Sequence, residues 1–178
     1  MSTVVSTPSR PQAGEYAPYY ERYISLVHSN DILAALDEQR RETLLLLSGR
    51  TEEEGNHRYA PDKWSVKEVL GHLNDSERVF AYRALRISRN DQTHIEGFEQ
   101  DDYVKFGPFA KRTLEDLVED YIAVRRATLT LFRNLSEEAW TRRGVANKNE
   151  VTVRALAYII AGHEMHHRRI LQEKYLNR

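Results

Sequence analysis

The stretch TVRALAYIIAGHEMHHRRILQEKYL, residues 152–176, decides the fold. It contains no proline, and at about 100° per residue Leu156 and Ile159 lie on one side of a helix. His163 and His167 lie on that same apolar side, one turn apart. The pattern therefore predicts a helix from Thr152 to about Leu176 whose buried side carries two imidazoles.

Three further helices are predicted upstream, and each begins near a residue that can cap a helix. The second of them opens with Ser65-Val66-Lys67-Glu68, a capping-box sequence. Ser136 is expected to cap a short extra turn, Glu137–Trp140. We find no convincing alternation of apolar and polar residues, the pattern typical of a strand. The chain is therefore predicted to be an all-α four-helix bundle, with helices at about Asn30–Ser48, Ser65–Asn90, Thr113–Leu135 and Thr152–Leu176.

The connection Asp91–Arg112, between the second and third helices, is much longer than antiparallel neighbours need. We expect a long crossover that borders a cavity at the functional site. A lid over the core or a contact in a dimer is the alternative. The first residues are rich in Ser, Thr, Pro and Gly and show no periodicity, so residues 1–18 are predicted to form a flexible arm. A single domain, residues 19–178, follows.

The composition narrows the classes of function. The 178 residues include 26 basic and 27 acidic side chains and no cysteine. The lack of cysteine excludes a disulfide scaffold, a thiolate zinc site and a cysteine nucleophile. The balanced charge argues against a nucleic-acid partner, and no apolar run is long enough to span a membrane. Because the first residues do not resemble a secretory signal, a cytoplasmic location is expected.

Two inward imidazoles at positions i and i+4 need partners for their ring nitrogens. A divalent cation held by His163 and His167 would supply them, whereas interior histidines bonded to Tyr, Glu or water are the alternative. His72 lies on the shoulder of the apolar stripe of the second helix, from which it can reach across to a neighbouring helix. Three protein ligands with an open position are typical of a catalytic metal site. The other histidines fall outside these inward faces or at their edge: His28, His57, His94 and His166.

Charged residues on the second helix add candidates. Glu77 lies within the apolar stripe, where it is predicted to be a general base or a hydrogen-bond acceptor for a ligand imidazole. An ion pair with an arginine at the core edge is the alternative. Arg83 and Arg86 share the shoulder of His72, so an arginine there could meet an anionic substrate at the mouth of a cavity. The alternative for these arginines is a solvated helix face.

Two segments together resemble the DinB/YfiT-like superfamily, in particular its DinB-like branch. They are W-S-x-K-E-x-x-G-H-L at Trp64–Leu73 and H-x-x-x-H at His163–His167, and the resemblance covers about residues 20–177. It implies a four-helix bundle of the up-down-down-up kind. It also implies a divalent metal ion held by His72, His163 and His167. Three imidazoles suit zinc, nickel, copper or iron, and zinc or nickel is expected.

The same resemblance implies several activities. Relatives include transferases that use bacillithiol or mycothiol, a maleylpyruvate isomerase and metal-dependent hydrolases, and homodimers are common. We therefore expect a metal-dependent enzyme for a small-molecule substrate, either an S-transferase that uses a low-molecular-weight thiol or a hydrolase. A non-catalytic, stress-related metal-binding protein is the alternative.

Overall fold

The computed structural model describes residues 8–176. Within them the four predicted long helices are present, and each starts at a side-chain cap. Ser65 forms the predicted capping box with Glu68, and Asp31, Thr113 and Thr152 cap the other three helices. The long helices are α2 Ile32–Leu47, α4 Val66–Ser88, α6 Leu114–Arg133 and α8 Val153–Ile170, the last continuing as a π-helical segment, Leu171–Leu176.

Shorter elements connect the long helices. Four short α-helices are α1 Glu21–Ile24, α3 Glu52–Asn56, α5 Gln100–Phe106 and α7 Glu137–Thr141, and 3-10 turns lie at Pro18–Tyr20 and Phe109–Lys111. Two strands, β1 Arg143–Ala146 and β2 Asn149–Thr152, form an antiparallel hairpin. None of the helices in residues 8–176 combines the length and the hydropathy that a membrane-spanning segment needs.

Two parallel pairs of helices build the bundle. Along α4 and α6, Asn74 donates to the carbonyl oxygen of Leu117, and the later pair Glu77 and Arg125 forms an ion pair, so these helices run in the same direction. Along α2 and α8, Tyr158 bonds to the carbonyl oxygen of Ser29, just before α2. Farther along both helices, Thr43 bonds to Glu164. This pair is therefore parallel as well.

The two pairs oppose each other. His72, near the start of α4, lies against His163 in α8, whereas Ile87, near the end of α4, packs on Gly144, which precedes α8. The bundle is therefore up-down-down-up, as the resemblance implied. Helices α6 and α8 each pack against both α2 and α4, so α2 and α4 occupy opposite corners.

This topology explains the long connection after α4. Because α4 and α6 are parallel neighbours, the chain must return along the length of a 23-residue helix, about 35 Å, before α6 begins. The predicted long crossover is confirmed. Helix α5 and the second 3-10 turn lie within it.

The hairpin corrects the expectation of a chain without strands. Its four-residue strands are too short to show a convincing alternation, and its two-residue turn lacks the usual Asn-Gly pair. Asn147 and Lys148 take positive φ values of 49° and 64°, as a primed hairpin turn requires. Ile95 of the long connection pairs with Ala146, so the hairpin anchors the crossover.

The described part of the predicted arm differs from a loose segment. Glu15 is 4% exposed and forms an ion pair with Arg154 in α8 and a 2.8 Å hydrogen bond with Thr152. Arg10 donates to the carbonyl oxygen of Ile24 over 2.7 Å. Hydrogen bonds, and not an apolar stripe, attach residues 8–18 to the bundle. The periodicity of apolar residues therefore could not reveal this attachment. Residues 1–7 of the predicted arm lie outside the described residues.

The apolar core consists of two clusters. A layer of buried polar side chains, to which every long helix contributes, lies between them. One cluster includes Leu36, Phe80 and Leu156, and the other includes Leu47, Leu70 and Leu171. The polar layer contains Gln39 and Thr43 of α2, His72 and Glu77 of α4, Arg125 of α6, and His163 and Glu164 of α8. This layer holds the candidate site.

Candidate metal centre

Three imidazoles meet in the polar layer. His72 comes from the second turn of α4, and His163 and His167 come from α8. One ring nitrogen of each lies within 4.8 Å of the other two, and the Nε2 atoms of His72 and His163 are 3.1 Å apart. The sequence analysis expected these three side chains to hold one divalent ion. In residues 8–176 no other group of three His, Cys, Asp or Glu residues is placed to hold a metal ion.

Burial keeps the three rings neutral. It lowers the pKa of His72 to about 4 and holds the pKa of His163 well below its usual value. Electrostatic repulsion from His167 and His72 lowers the pKa of His163 further. Burial, together with the charges of His72 and His166, lowers the pKa of His167 to about 3. At neutral pH each ring therefore has a free lone pair, which is the form that binds metals.

The contacts between the rings suit a cation. Two imidazole lone pairs repel each other, so the 3.1 Å separation of Nε2 atoms in His72 and His163 needs a proton or a cation between them. Ser76 Oγ lies 3.4 Å from Nδ1 of His72, where it can accept that N–H and leave the Nε2 lone pair facing the other rings. Neighbouring nitrogens on a tetrahedral zinc ion lie about 3.3 Å apart. The donor set therefore fits a divalent ion that prefers nitrogen ligands.

Aromatic rings surround the centre. The Trp64 ring lies 4.8 Å from His72, the Tyr23 ring meets His163 edge-on at 5.2 Å, and Phe80 lies 6.2 Å from His163. Gly162 makes the Tyr23 contact feasible, because a Cβ atom there would overlap the backbone of Tyr23. These rings pack against His72 and His163 and reduce the contact of both imidazoles with water.

A cleft of about 350 Å³ reaches His163 from the surface. Ser76, Phe80 and Arg83 of α4 form one wall, and residues 98–101 of the long connection form another. The expectation that this connection borders the cavity agrees with the structure. The same connection also covers the core, because the Phe109 ring packs where a Cβ atom of Gly71 would lie. The remaining lining residues come from the N-terminal segment and the hairpin: Ala17, Tyr19, Tyr20, Tyr23, Asn147 and Asn149.

Glu77 belongs to a buried charge network. Arg125, which is fully buried, donates to both carboxylate oxygens of Glu77 over 2.8 and 2.7 Å, and it also pairs with Glu164. This is the ion pair that the sequence left as the alternative for Glu77. Among the described residues, none of the three histidines bonds to Glu77, although Glu77 and His163 line one small cavity. A role for Glu77 in proton transfer stays a prediction.

Sequence reasoning missed the rest of this network. Tyr121 and Thr43 each donate a 2.6 Å hydrogen bond to Glu164, which lies beside His163 in α8. Glu164 points about 100° away from His163 around the helix, off the predicted stripe. It is nevertheless buried because α8 packs against α1, α2 and α4. Arg125 carried a usable signal, since it follows the aromatic residue Tyr121 by one helical turn.

The other histidines lie outside the cluster. His28 and His94 are exposed and His57 is half-buried. His166 is half-buried, packs on Tyr23 with ring centres 5.5 Å apart, and is not among the convergent nitrogens. Their placement agrees with the helical positions inferred from the sequence.

Comparisons with known proteins agree with the fold described above. A sequence model of the DinB superfamily matches residues 35–171. No curated protein matches the sequence. Among solved structures, the fold is similar to that of YfiT from Bacillus subtilis, described as a probable metal-dependent hydrolase with an unusual four-helix bundle topology. The TM-score is 0.68 at 15% identity, over 90% of this chain and 87% of that one, a likeness that shows a common fold.

Proposed function

The chain belongs to the DinB superfamily, and from this premise we propose that it is a metal-dependent enzyme acting on a small molecule. His72, His163 and His167 would be the ligands of its divalent cation. The observation that carries the proposal is the convergence of three neutral imidazoles, two buried and one half-buried, beside a cleft that reaches the surface. The description of YfiT as a probable metal-dependent hydrolase supports it.

The donor set indicates which ion to expect. Three imidazole nitrogens with no thiolate or carboxylate suit zinc, nickel, copper or iron, and of these we propose zinc or nickel. When bound, such an ion supplies a Lewis acid that lowers the pKa of a coordinated water or thiol. Ser76 orients His72, and the surrounding Tyr23, Phe80 and Trp64 rings keep bulk water away.

Two reactions are candidates for this centre. Transfer of a low-molecular-weight thiol to an electrophile is our first candidate, and because the chain has no cysteine, the sulfur must come from a cosubstrate. Hydrolysis is the second candidate, favoured by the description of YfiT. Glu77 is proposed either as the proton acceptor or as a positioning residue, and its pairing with Arg125 supports the second role.

The access to the centre distinguishes an enzyme from a non-catalytic metal-binding protein. A fourth protein ligand or a filled cavity would favour the non-catalytic alternative. In residues 8–176 no fourth His, Cys, Asp or Glu joins the cluster, and the cleft opens onto His163. This geometry favours the enzyme.

A direct test compares wild type with His163→Ala, using the exposed His28→Ala as the control. Elemental analysis of protein purified without a histidine tag should find about one divalent ion per chain in wild type and His28→Ala, and little in His163→Ala. A panel of thiols with electrophiles, and of esters and amides, should then show turnover that His163→Ala loses. Equal rates for all three proteins across the panel would contradict the enzymatic proposal.

Glu77→Gln refines the assignment. If Glu77 accepts a proton, this variant should keep its metal content and lose turnover. A homodimer and a cytoplasmic location are further expectations, to be measured by light scattering and by cell fractionation.

A further inference from the structure

Arg83 is a second charged feature of the cleft. It extends from α4, is 3% exposed, and lines the cleft together with His163. Its guanidinium carbon lies 5.6 Å from the centre of the Phe80 ring and 5.9 Å from that of Phe98. Nη2 donates a 3.0 Å hydrogen bond to the carbonyl oxygen of Glu96.

The charge of Arg83 lacks a counter-charge. Its buried Nε has no hydrogen-bond partner among the described residues, and no carboxylate in residues 8–176 forms an ion pair with it. The other buried arginine of the bundle differs, because Glu77 and Glu164 both pair with Arg125. Burying an unpaired charge with an unsatisfied donor costs free energy, so such a group in a cleft is expected to meet an anion.

We infer that Arg83 binds an anionic group of the substrate, a carboxylate or a phosphate, while the reacting part of the substrate lies at the three histidines. This inference rests on the proposed function. The Phe80 ring contacts both His163 and Arg83, so the two subsites are about one aromatic ring apart. The cleft volume of about 350 Å³ suits a small molecule.

The rim of the cleft limits the number of anionic groups. Glu99 and Asp101 also border the cleft, but they are exposed, and water and salt screen their charges. They oppose a second anionic group near the mouth. A substrate with one anionic end placed deep in the cleft and an uncharged remainder therefore fits best.

A purely structural role for Arg83 must be separated from this one. Through Glu96 and Phe98, Arg83 also holds the long connection against α4. A structural role predicts lost stability in any Arg83 variant and no preference for charged ligands. If Arg83 binds an anion, the wild-type protein should already bind anionic ligands more tightly than uncharged ligands of similar shape.

Three probes of similar shape test the inference on the full chain: benzoate, phenyl phosphate and the uncharged benzamide. Calorimetric titration is done on protein freed of metal, so that the anions cannot bind to a cation instead of Arg83. We expect one or both anions to bind wild type about 10- to 100-fold more tightly than benzamide. The tighter of the two identifies carboxylate or phosphate as the preferred group.

Arg83→Gln should reduce this ratio to about one, and Arg83→Lys should retain part of it. Arg86→Gln is the matched control, because it removes the same charge from α4 at a residue paired with Asp91. It should keep the full ratio. If Arg83→Gln does not fold, as judged by circular dichroism, the wild-type ratio and Arg83→Lys decide. A wild-type ratio near one, or an unchanged ratio in Arg83→Gln, would overturn the inference.

Failure of this inference is distinguishable from failure of the proposed function. His167→Ala removes a proposed metal ligand that does not line the cleft. If only the metal proposal is wrong, wild type binds no metal but still prefers the anions, as does His167→Ala. If only the Arg83 inference is wrong, metal uptake and turnover persist without any preference for charge.

Discussion

Replacing Arg125 by methionine should destabilise the bundle strongly. Arg125 is fully buried and pairs with Glu77 and Glu164, which together outweigh the effect of burial and raise its pKa well above the usual value. The substitution leaves two buried carboxylates without a counter-charge, and the carbonyl oxygen of Leu36 without its 2.8 Å donor. Breaking a buried ion pair from one side costs about 3–5 kcal/mol. For a chain of this size, the melting temperature should fall by roughly 6–20 °C.

Urea unfolding followed by circular dichroism measures the loss, with the exposed neighbour Arg126→Met as the control. The triple variant Arg125→Met, Glu77→Gln, Glu164→Gln removes all three charges, and it should recover a large part of the stability. A loss below about 1 kcal/mol in Arg125→Met would refute the reasoning. A triple variant no more stable than the single variant would refute it as well, because the cost would then not come from unpaired charge.

Three further predictions concern other parts of the molecule. His72→Ala should lose most of the bound divalent ion, whereas His28→Ala should keep it, as elemental analysis measures. Burial raises the pKa of Glu15, but its hydrogen bonds from α8 and the nearby backbone outweigh this effect and lower the pKa. The advantage of wild type over Glu15→Gln in urea unfolding should therefore be full above about pH 5 and shrink toward pH 3. Gly162→Ala should lower the melting temperature and weaken metal binding, because the added methyl group overlaps the backbone of Tyr23 and pushes α1 away from α8; an unchanged melting temperature would contradict this contact.

Local signals made the four helices predictable. The caps Asp31, Ser65, Thr113 and Thr152 act within one helical turn, and the apolar residues that follow them at spacings of three or four are a local signal as well. The direction of the helices is not local. The up-down-down-up order came from the resemblance, because helical periodicity does not distinguish it from other bundles.

The candidate site was predictable to the extent that it lies on apolar stripes. The helical periodicity of α8 placed His163 and His167 on its apolar stripe, and that of α4 placed His72 on the shoulder of its own stripe. Glu164 was missed, because it lies off the apolar stripe and is buried through the packing of α8 against α1, α2 and α4. The Tyr23 wall was missed for a different reason, since the short helix that carries it lacks a recognisable period.

Because α8 packs against α1, α2 and α4, the synthesis of α8 decides when the chain can bury its apolar faces and complete the candidate metal centre. A ribosome-bound chain that has not yet extended beyond Thr152 lacks the partner of α1, α2 and α4, so it exposes their apolar faces to chaperones or to aggregation. It also carries only one of the three convergent imidazoles. If the proposed function is right, capture of a metal ion by the three imidazoles has to wait until residue 167 has left the exit tunnel, so loading of the centre follows the synthesis of α8.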